Sequence, residues 1–189
     1  MLLRAGGRWA LLAALFISNA VAQVPGKAKA CAACHGEDGN SSISGTPSIA
    51  GQPRIFLENY LIMTREGVRG SEVMQVLLKG VPDAEIIALS NHYAGLKASP
   101  LSGSVDRNLF ERGRGIAARS RCGSCHLPNY VGRQQMPRLA GQREEFLAEV
   151  MLQYRHNRRR GGDTMMSAAL YGIPETDFPA LAHYFSRLN

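Results

Sequence analysis

Apolar residues in this chain recur with the period of an α-helix, and no stretch alternates with the period of a strand. Phe56, Tyr60 and Met63 fall at i, i+4 and i+7, and Ile86, Leu89, Ser90 and Tyr93 mark a second helical face further on. Both stripes return later in the chain. Phe146 and Val150 answer the first, and Phe178, Leu181, Ala182 and Phe185 answer the second. Pro82 and Pro174 stand where helix starts tolerate proline, and the acids behind them, Asp83/Glu85 and Glu175/Asp177, favour the positive helix N-terminus. Pro179 departs from this scheme and predicts either a later start, near Thr176, or a kink. The pattern predicts an all-α fold of helices joined by long connections.

A different pattern opens the chain. Arg4 and Arg8 precede an apolar run over 9–17, and Asn19-Ala20-Val21-Ala22 ends it with an A-x-A cleavage site. The run is shorter than the roughly 18–20 residues that span a bilayer, so it reads as a signal peptide rather than a retained anchor. Cleavage after Ala22 would deliver a soluble protein to the periplasm.

The recurring stripes belong to a longer repeat. Pro47-Ser48-Ile49-Ala50-Gly51-Gln52 matches Pro137-Arg138-Leu139-Ala140-Gly141-Gln142, Val81-Pro82-Asp83 matches Ile173-Pro174-Glu175, and His92-Tyr93 matches His183-Tyr184. The chain is a tandem duplication. Between the copies, residues 98–104 are small, polar and broken by Pro100 and Gly103, as a linker is. The expected organisation is a signal peptide over 1–22, one domain over 23–97, the linker over 98–104 and a second domain over 105–189. Each domain is then at the lower edge of what a core holds together unaided.

All four cysteines lie in one motif, Cys31-Ala32-Ala33-Cys34-His35, repeated as Cys122-Gly123-Ser124-Cys125-His126. C-x-x-C-H is the attachment signature of haem c, in which two thiols add to the haem vinyl groups and the adjacent imidazole becomes the proximal iron ligand. Other readings fit less well. A zinc ribbon spaces its cysteine pairs roughly 15–20 residues apart, far less than the interval from Cys34 to Cys122. A thioredoxin-like motif needs a βαβ setting, and paired disulfides leave His35 and His126 unexplained. Two motifs imply two covalently bound haem c groups, each supplying apolar interior to its small domain.

A sixth ligand decides what such an iron does, because a His/Met pair closes it for electron transfer. Met74 and Met166 each precede the matching Val81-Pro82 and Ile173-Pro174 by seven residues, so the repeat selects them, with Met165 an open alternative beside Met166. Met74 lies in a stretch that reads as a polar connection, and Met63 sits on a helical stripe where methionine fills cores. His92 and His183 read as partly exposed residues ending amphipathic helices, and His156 as part of a solvated basic run. The second ring nitrogens of His35 and His126 need acceptors, for which the carbonyls of Pro47 and Pro137 are the candidates.

The two C-x-x-C-H motifs, the P-x-I/L-A-G-Q segments, the Gly162-Asp163-Thr164-Met165-Met166 stretch and the closing helices resemble the dihaem cytochrome c4 family over the whole chain behind the signal. The resemblance implies two class I cytochrome c domains, haem attachment at Cys31, Cys34, Cys122 and Cys125, and axial ligation by His35, His126, Met74 and Met166. Where that family commonly carries Met-Thr-Gly, this chain has Met74-Gln75-Val76. It further implies a periplasmic one-electron carrier in a respiratory chain, not an enzyme, passing electrons from a redox protein donor to an acceptor such as a membrane-bound oxidase or reductase. The cytochrome subunit of flavocytochrome c sulfide dehydrogenases has a similar layout, which keeps open a role as the cytochrome subunit of a periplasmic dehydrogenase. An independent dihaem enzyme, a peroxidase or thiosulfate dehydrogenase, would need an open iron or an unusual ligand.

Charge bears on partners. Residues 23–100 balance seven basic against seven acidic side chains, whereas 101–189 carry thirteen against eight, with Arg155, Arg158, Arg159 and Arg160 close together. An exported protein meets no nucleic acid, so none is expected as a partner. The excess reads equally as a solubilising face or as a docking face for an acidic partner or an anionic membrane surface, the last giving peripheral membrane association.

Overall fold

Six helices start at a capping oxygen or a proline, Pro53, Ser71, Pro82, Asp106, Asp163 and Pro179, and in the computed structural model the helices divide the described residues, 25–189, into two similar runs. The segment assigned to a signal peptide, 1–22, lies outside the described residues. The first run holds α1 (Ala28–His35), α2 (Arg54–Arg65), α3 (Glu72–Leu78) and α4 (Asp83–Gly95). The second holds α5 (Arg107–Arg119), α6 (Gly123–His126), α7 (Glu144–Arg155), α8 (Thr164–Tyr171) and α9 (Phe178–Ser186), with a 3-10 turn at Glu175–Asp177. Among the described residues there is no strand, only an isolated bridge between Arg133 and Met136. No helix among them is long and apolar enough to cross a membrane.

The closing stripes fold as expected. Ile86, Leu89, Ser90 and Tyr93 are all buried on α4, and Phe178, Leu181, Ala182 and Phe185 are all buried on α9. Pro179 resolves into the later start: the 3-10 turn takes up residues 175–177, and α9 begins at Phe178 with the proline in its first turn, where its missing N–H costs nothing. The earlier stripe is displaced by one residue. On α2 the buried side chains are Leu57 and Thr64, and on α7 they are Leu147, Met151 and Tyr154, leaving Phe56, Tyr60, Met63, Phe146 and Val150 half-buried. A helix between two neighbours has apolar residues on both flanks, so periodicity alone does not say which flank is deeper.

In the second half α9 packs against α5 and α7, and in the first half α4 packs on α2. Asp106 caps α5, its Oδ1 accepting the Asn108 and Leu109 N–H groups at 2.9 and 3.1 Å. Where α5 crosses α9, Gly113 is buried, and a Cβ there would run into the Ala180 carbonyl. The crossing therefore depends on glycine for its closeness. The segment expected to be the linker is tied to both halves: Ser99 N–H donates to Asn40 Oδ1 at 2.9 Å, and Leu101 N–H donates to the Ser186 carbonyl at 3.2 Å. Across the seam Arg69 Nη2 meets the Tyr154 hydroxyl at 3.2 Å and Arg160 Nη2 meets the Gly67 carbonyl at 2.7 Å.

Candidate haem-binding sites

Each C-x-x-C-H motif ends a helix on its histidine, and the chain then turns sharply. After His35 the turn is made by Gly36 at φ 86°, and after His126 by Leu127 at φ 69°, ψ 157°. A side chain in that region costs about 1–3 kcal/mol, so the second half retains the turn against a penalty. Both loops then fold back. Ile49 and Ala50 donate to the Gly39 carbonyl, and Leu139 and Ala140 donate to that of Tyr130.

The fold-back sets Pro47 and Pro137 beside the histidines. His35 Nδ1 lies 2.8 Å from the Pro47 oxygen, and His126 Nδ1 lies 2.8 Å from the Pro137 oxygen. A carbonyl only accepts, so Nδ1 carries the proton and Nε2 keeps its lone pair, the form in which imidazole binds a metal. Both histidines are only 7% exposed. Burial pushes both imidazoles below their ordinary pKa, and the carbonyl bonds offset this only in part. The acceptors are the two carbonyls that the sequence nominated.

The four thiols are free rather than joined as disulfides, Cys31 and Cys122 half-buried and Cys34 and Cys125 exposed. Burial raises the pKa of the Cys31 and Cys122 thiols.

Met74 is not in an irregular connection but on α3, and Met166 is on α8. Helix α3 is less than two turns long and its apolar residues Val73, Val76 and Leu77 are exposed rather than gathered on a buried face, so no stripe marked the helix that Ser71 caps. Counting from the capping residues Ser71 and Asp163, Met74 and Met166 are both the third helical residue. Both are half-buried, Met74 against the cluster of Leu78, Val81 and Ile86 and Met166 against the larger core of the second half. Met165 is 72% exposed. Met151 is buried in the core, and Met63 reaches toward Gly161 on the opposite half, where its methyl would lie 3.3 Å from a Cβ.

His183 differs from its sequence reading. It is buried rather than partly exposed, its Nε2 accepting from Asp106 N–H at 3.1 Å and its Nδ1 facing Glu144 Oε2 at 3.1 Å. Both nitrogens are engaged in joining α9 to α7 and to the start of α5. His92 stacks edge-on against Tyr93, and His156 is exposed beside Glu175.

The arginines at 155–160 are also more committed than a solvated run. Arg155 bonds the carbonyls of Tyr171 and Ile173, Arg159 lies over the Tyr154 ring, and Arg160 crosses to Gly67. Arg158 is left exposed.

Sequence reasoning gave Gln52 and Gln142 no role, yet both are almost fully buried. Gln142 Oε1 accepts Ser48 N–H at 2.7 Å while its Nε2 donates to the Ser48 carbonyl at 2.8 Å. Reciprocally, Gln52 Oε1 accepts Arg138 N–H at 2.9 Å and its Nε2 donates to the Arg138 carbonyl at 3.0 Å. Gly51 and Gly141, at φ 63° and 71°, turn the chain immediately before each glutamine. An identical glutamine behind both Ala-Gly pairs was the available signal.

These residues fit haem c. Each half offers two free thiols, a buried imidazole with Nε2 available and a thioether on a helix carrying exposed apolar residues, Val73, Val76 and Leu77 on α3 and Met165 and Tyr171 on α8. A bare metal ion is a poorer match, since no group of three or more His, Cys, Asp or Glu side chains converges among the described residues.

No family model matches the chain. It is 30% identical over 183 residues to cytochrome c4 of Stutzerimonas stutzeri, covering 87% of each protein. It is 31% identical over 153 residues to a thiosulfate dehydrogenase electron acceptor of Thiomonas intermedia, covering 74% of this chain and 69% of that protein. It superposes on the crystal structure of reduced recombinant cytochrome c4 from Pseudomonas stutzeri with a TM-score of 0.80 at 28% identity, covering 87% of this chain and 96% of the other.

Proposed function

Since the chain belongs to the cytochrome c4 family, we propose that it shuttles single electrons in the periplasm, between a redox protein donor and a membrane-bound oxidase or reductase. It is a dihaem c-type cytochrome of two class I domains, an electron-transfer protein rather than an enzyme. The first domain covers 23–97, the linker 98–104 and the second domain 105–189, after removal of 1–22 behind Ala22.

The haem groups supply the Fe(II)/Fe(III) couple, and the chain supplies everything that makes it a closed one-electron site. Cys31 and Cys34 would hold one group, and Cys122 and Cys125 the other. His35 and His126 present Nε2 with the ring fixed by Pro47 and Pro137. Met74 and Met166 would supply the second protein ligand of each iron, and a thioether in that role would raise the potential and leave no position for substrate. The observation that carries this reading is the duplication of the whole set, down to a 2.8 Å imidazole–proline bond in each half.

The relative named as a thiosulfate dehydrogenase electron acceptor supports a second reading, in which the chain drains electrons from a periplasmic dehydrogenase. Affinity capture from periplasm and membranes, followed by stopped-flow electron exchange with what is recovered, separates the two. Rapid exchange with an oxidase or reductase supports the free carrier, while stoichiometric recovery of a dehydrogenase assigns the subunit role. Sustained turnover of thiosulfate, sulfide or peroxide by the purified chain would contradict both.

A further inference from the structure

The peptide group between Pro47 and Ser48 is engaged on both sides. Its oxygen accepts His35 Nδ1–H at 2.8 Å, and its N–H donates to Gln142 of the other half at 2.7 Å. The peptide group between Pro137 and Arg138 repeats the arrangement, bonding His126 at 2.8 Å and Gln52 at 2.9 Å. A peptide whose N–H is hydrogen-bonded is more polarised, so its oxygen becomes a better acceptor. Each glutamine thus acts on a histidine of the opposite domain through one amide.

We propose that Gln142 and Gln52 are positioning residues that set, crosswise, the electron-donating strength of His35 and His126. A stronger acceptor at Nδ1 makes the imidazole more basic at Nε2, which favours the oxidised iron. Both glutamines are only 4–5% exposed, so their bonds do not compete with water. By linkage, oxidation in one domain strengthens the amide bond that the other domain supplies, and the two sites are coupled through their seam.

This inference rests on His35 and His126 being the proximal ligands. The test is the potential of each haem, resolved separately by its own hyperfine-shifted NMR resonances, in Gln142→Leu and Gln52→Leu. Gln142→Leu is expected to raise the potential of the haem on His35 by about threefold in the reduced-to-oxidised ratio, roughly 30 mV at 59 mV per tenfold, and to move the other less. Gln52→Leu should do the reverse. Gln142→Glu keeps an oxygen on Ser48 N–H and should return the first potential to its original value or below. Equal shifts of both haems in each variant, or none, would overturn the proposal. The unsubstituted protein offers a second reading, since amide exchange at Ser48 and Arg138 should be slower in the ferric than in the ferrous form. Equal rates in the two states would also overturn it. Failure of the ligand assignment looks different, because the parent protein would then lack two histidine-ligated haem spectra.

Discussion

Met74 and Met166 occupy equivalent positions, each the third residue of a short helix begun by a capping side chain. Ser71 Oγ accepts the Met74 N–H at 3.4 Å, and Asp163 Oδ1 accepts the Met165 N–H at 2.8 Å. Side chains on a helix recur every 3.6 residues, so moving one residue along α8 turns the side chain by about 100°. Met165 accordingly points elsewhere and is largely exposed.

Replacing Met74 or Met166 by alanine is expected to open one haem to carbon monoxide and to remove half of the weak methionine-to-ferric charge-transfer band, with both haems still covalently attached. Met165→Ala should leave the band and the carbon monoxide response unchanged. Loss of the band in Met165→Ala alone would transfer the ligand role to Met165.

Two glycines on α5 should respond oppositely to alanine. At Gly113 a Cβ would strike the Ala180 carbonyl and come within 2.7 Å of the Tyr184 Cβ, so Gly113→Ala is expected to cost on the order of 3 kcal/mol. At Gly115 the nearest atom is the flexible Arg119 guanidinium at 3.2 Å, and Gly115→Ala should gain roughly 0.5–1 kcal/mol from helix propensity. Urea unfolding of the two variants checks the contrast. A neutral Gly113→Ala would mean that the α5–α9 crossing is looser than described.

Tyr130 predicts an alkaline weakness. Burial, with the neighbouring Tyr184, pushes its phenol up to about 12. An unfolded tyrosine ionises near pH 10, so between about pH 10 and 12 the unfolded chain loses its proton first and stability falls as pH rises. Tyr130→Phe should flatten that decline in denaturant unfolding across the window, whatever it costs at neutral pH. An equally steep decline in the variant would place its cause elsewhere.

The basic run now has a narrower expectation. With Arg155, Arg159 and Arg160 committed to internal bonds, neutralising Arg158 alone should leave partner association and its salt slope within about twofold of the parent. Stopped flow over a range of ionic strength measures both. A loss of about tenfold at low salt would restore the run as a docking face.

Much of this was legible in the sequence because it depends on spacing. The C-x-x-C-H motifs, the deep faces of α4 and α9, and the prolines beside the two histidines all follow from residues at fixed intervals. Less legible was what depends on a third dimension. Helix α5 was missed although Leu109, Phe110, Gly113, Ile116 and Ala117 follow a helical period behind Asp106, because its hydrophobic residues are interrupted by arginines. The burial of His183 depends on Asp106 and Glu144, both distant in sequence, and so does not register in the local pattern around it. The glutamine bridges were out of reach for the same reason, since each is made by the other half.

The most direct test of the account is the number and type of haems that remain on the denatured mature chain, measured by pyridine haemochrome and intact mass. Two c-type haems per chain, with one lost on replacing Cys31 and Cys34 together and the other on replacing Cys122 and Cys125, is the expected result. A stoichiometry near one, or zinc in place of haem at either motif, would contradict the claim that both halves are haem c domains.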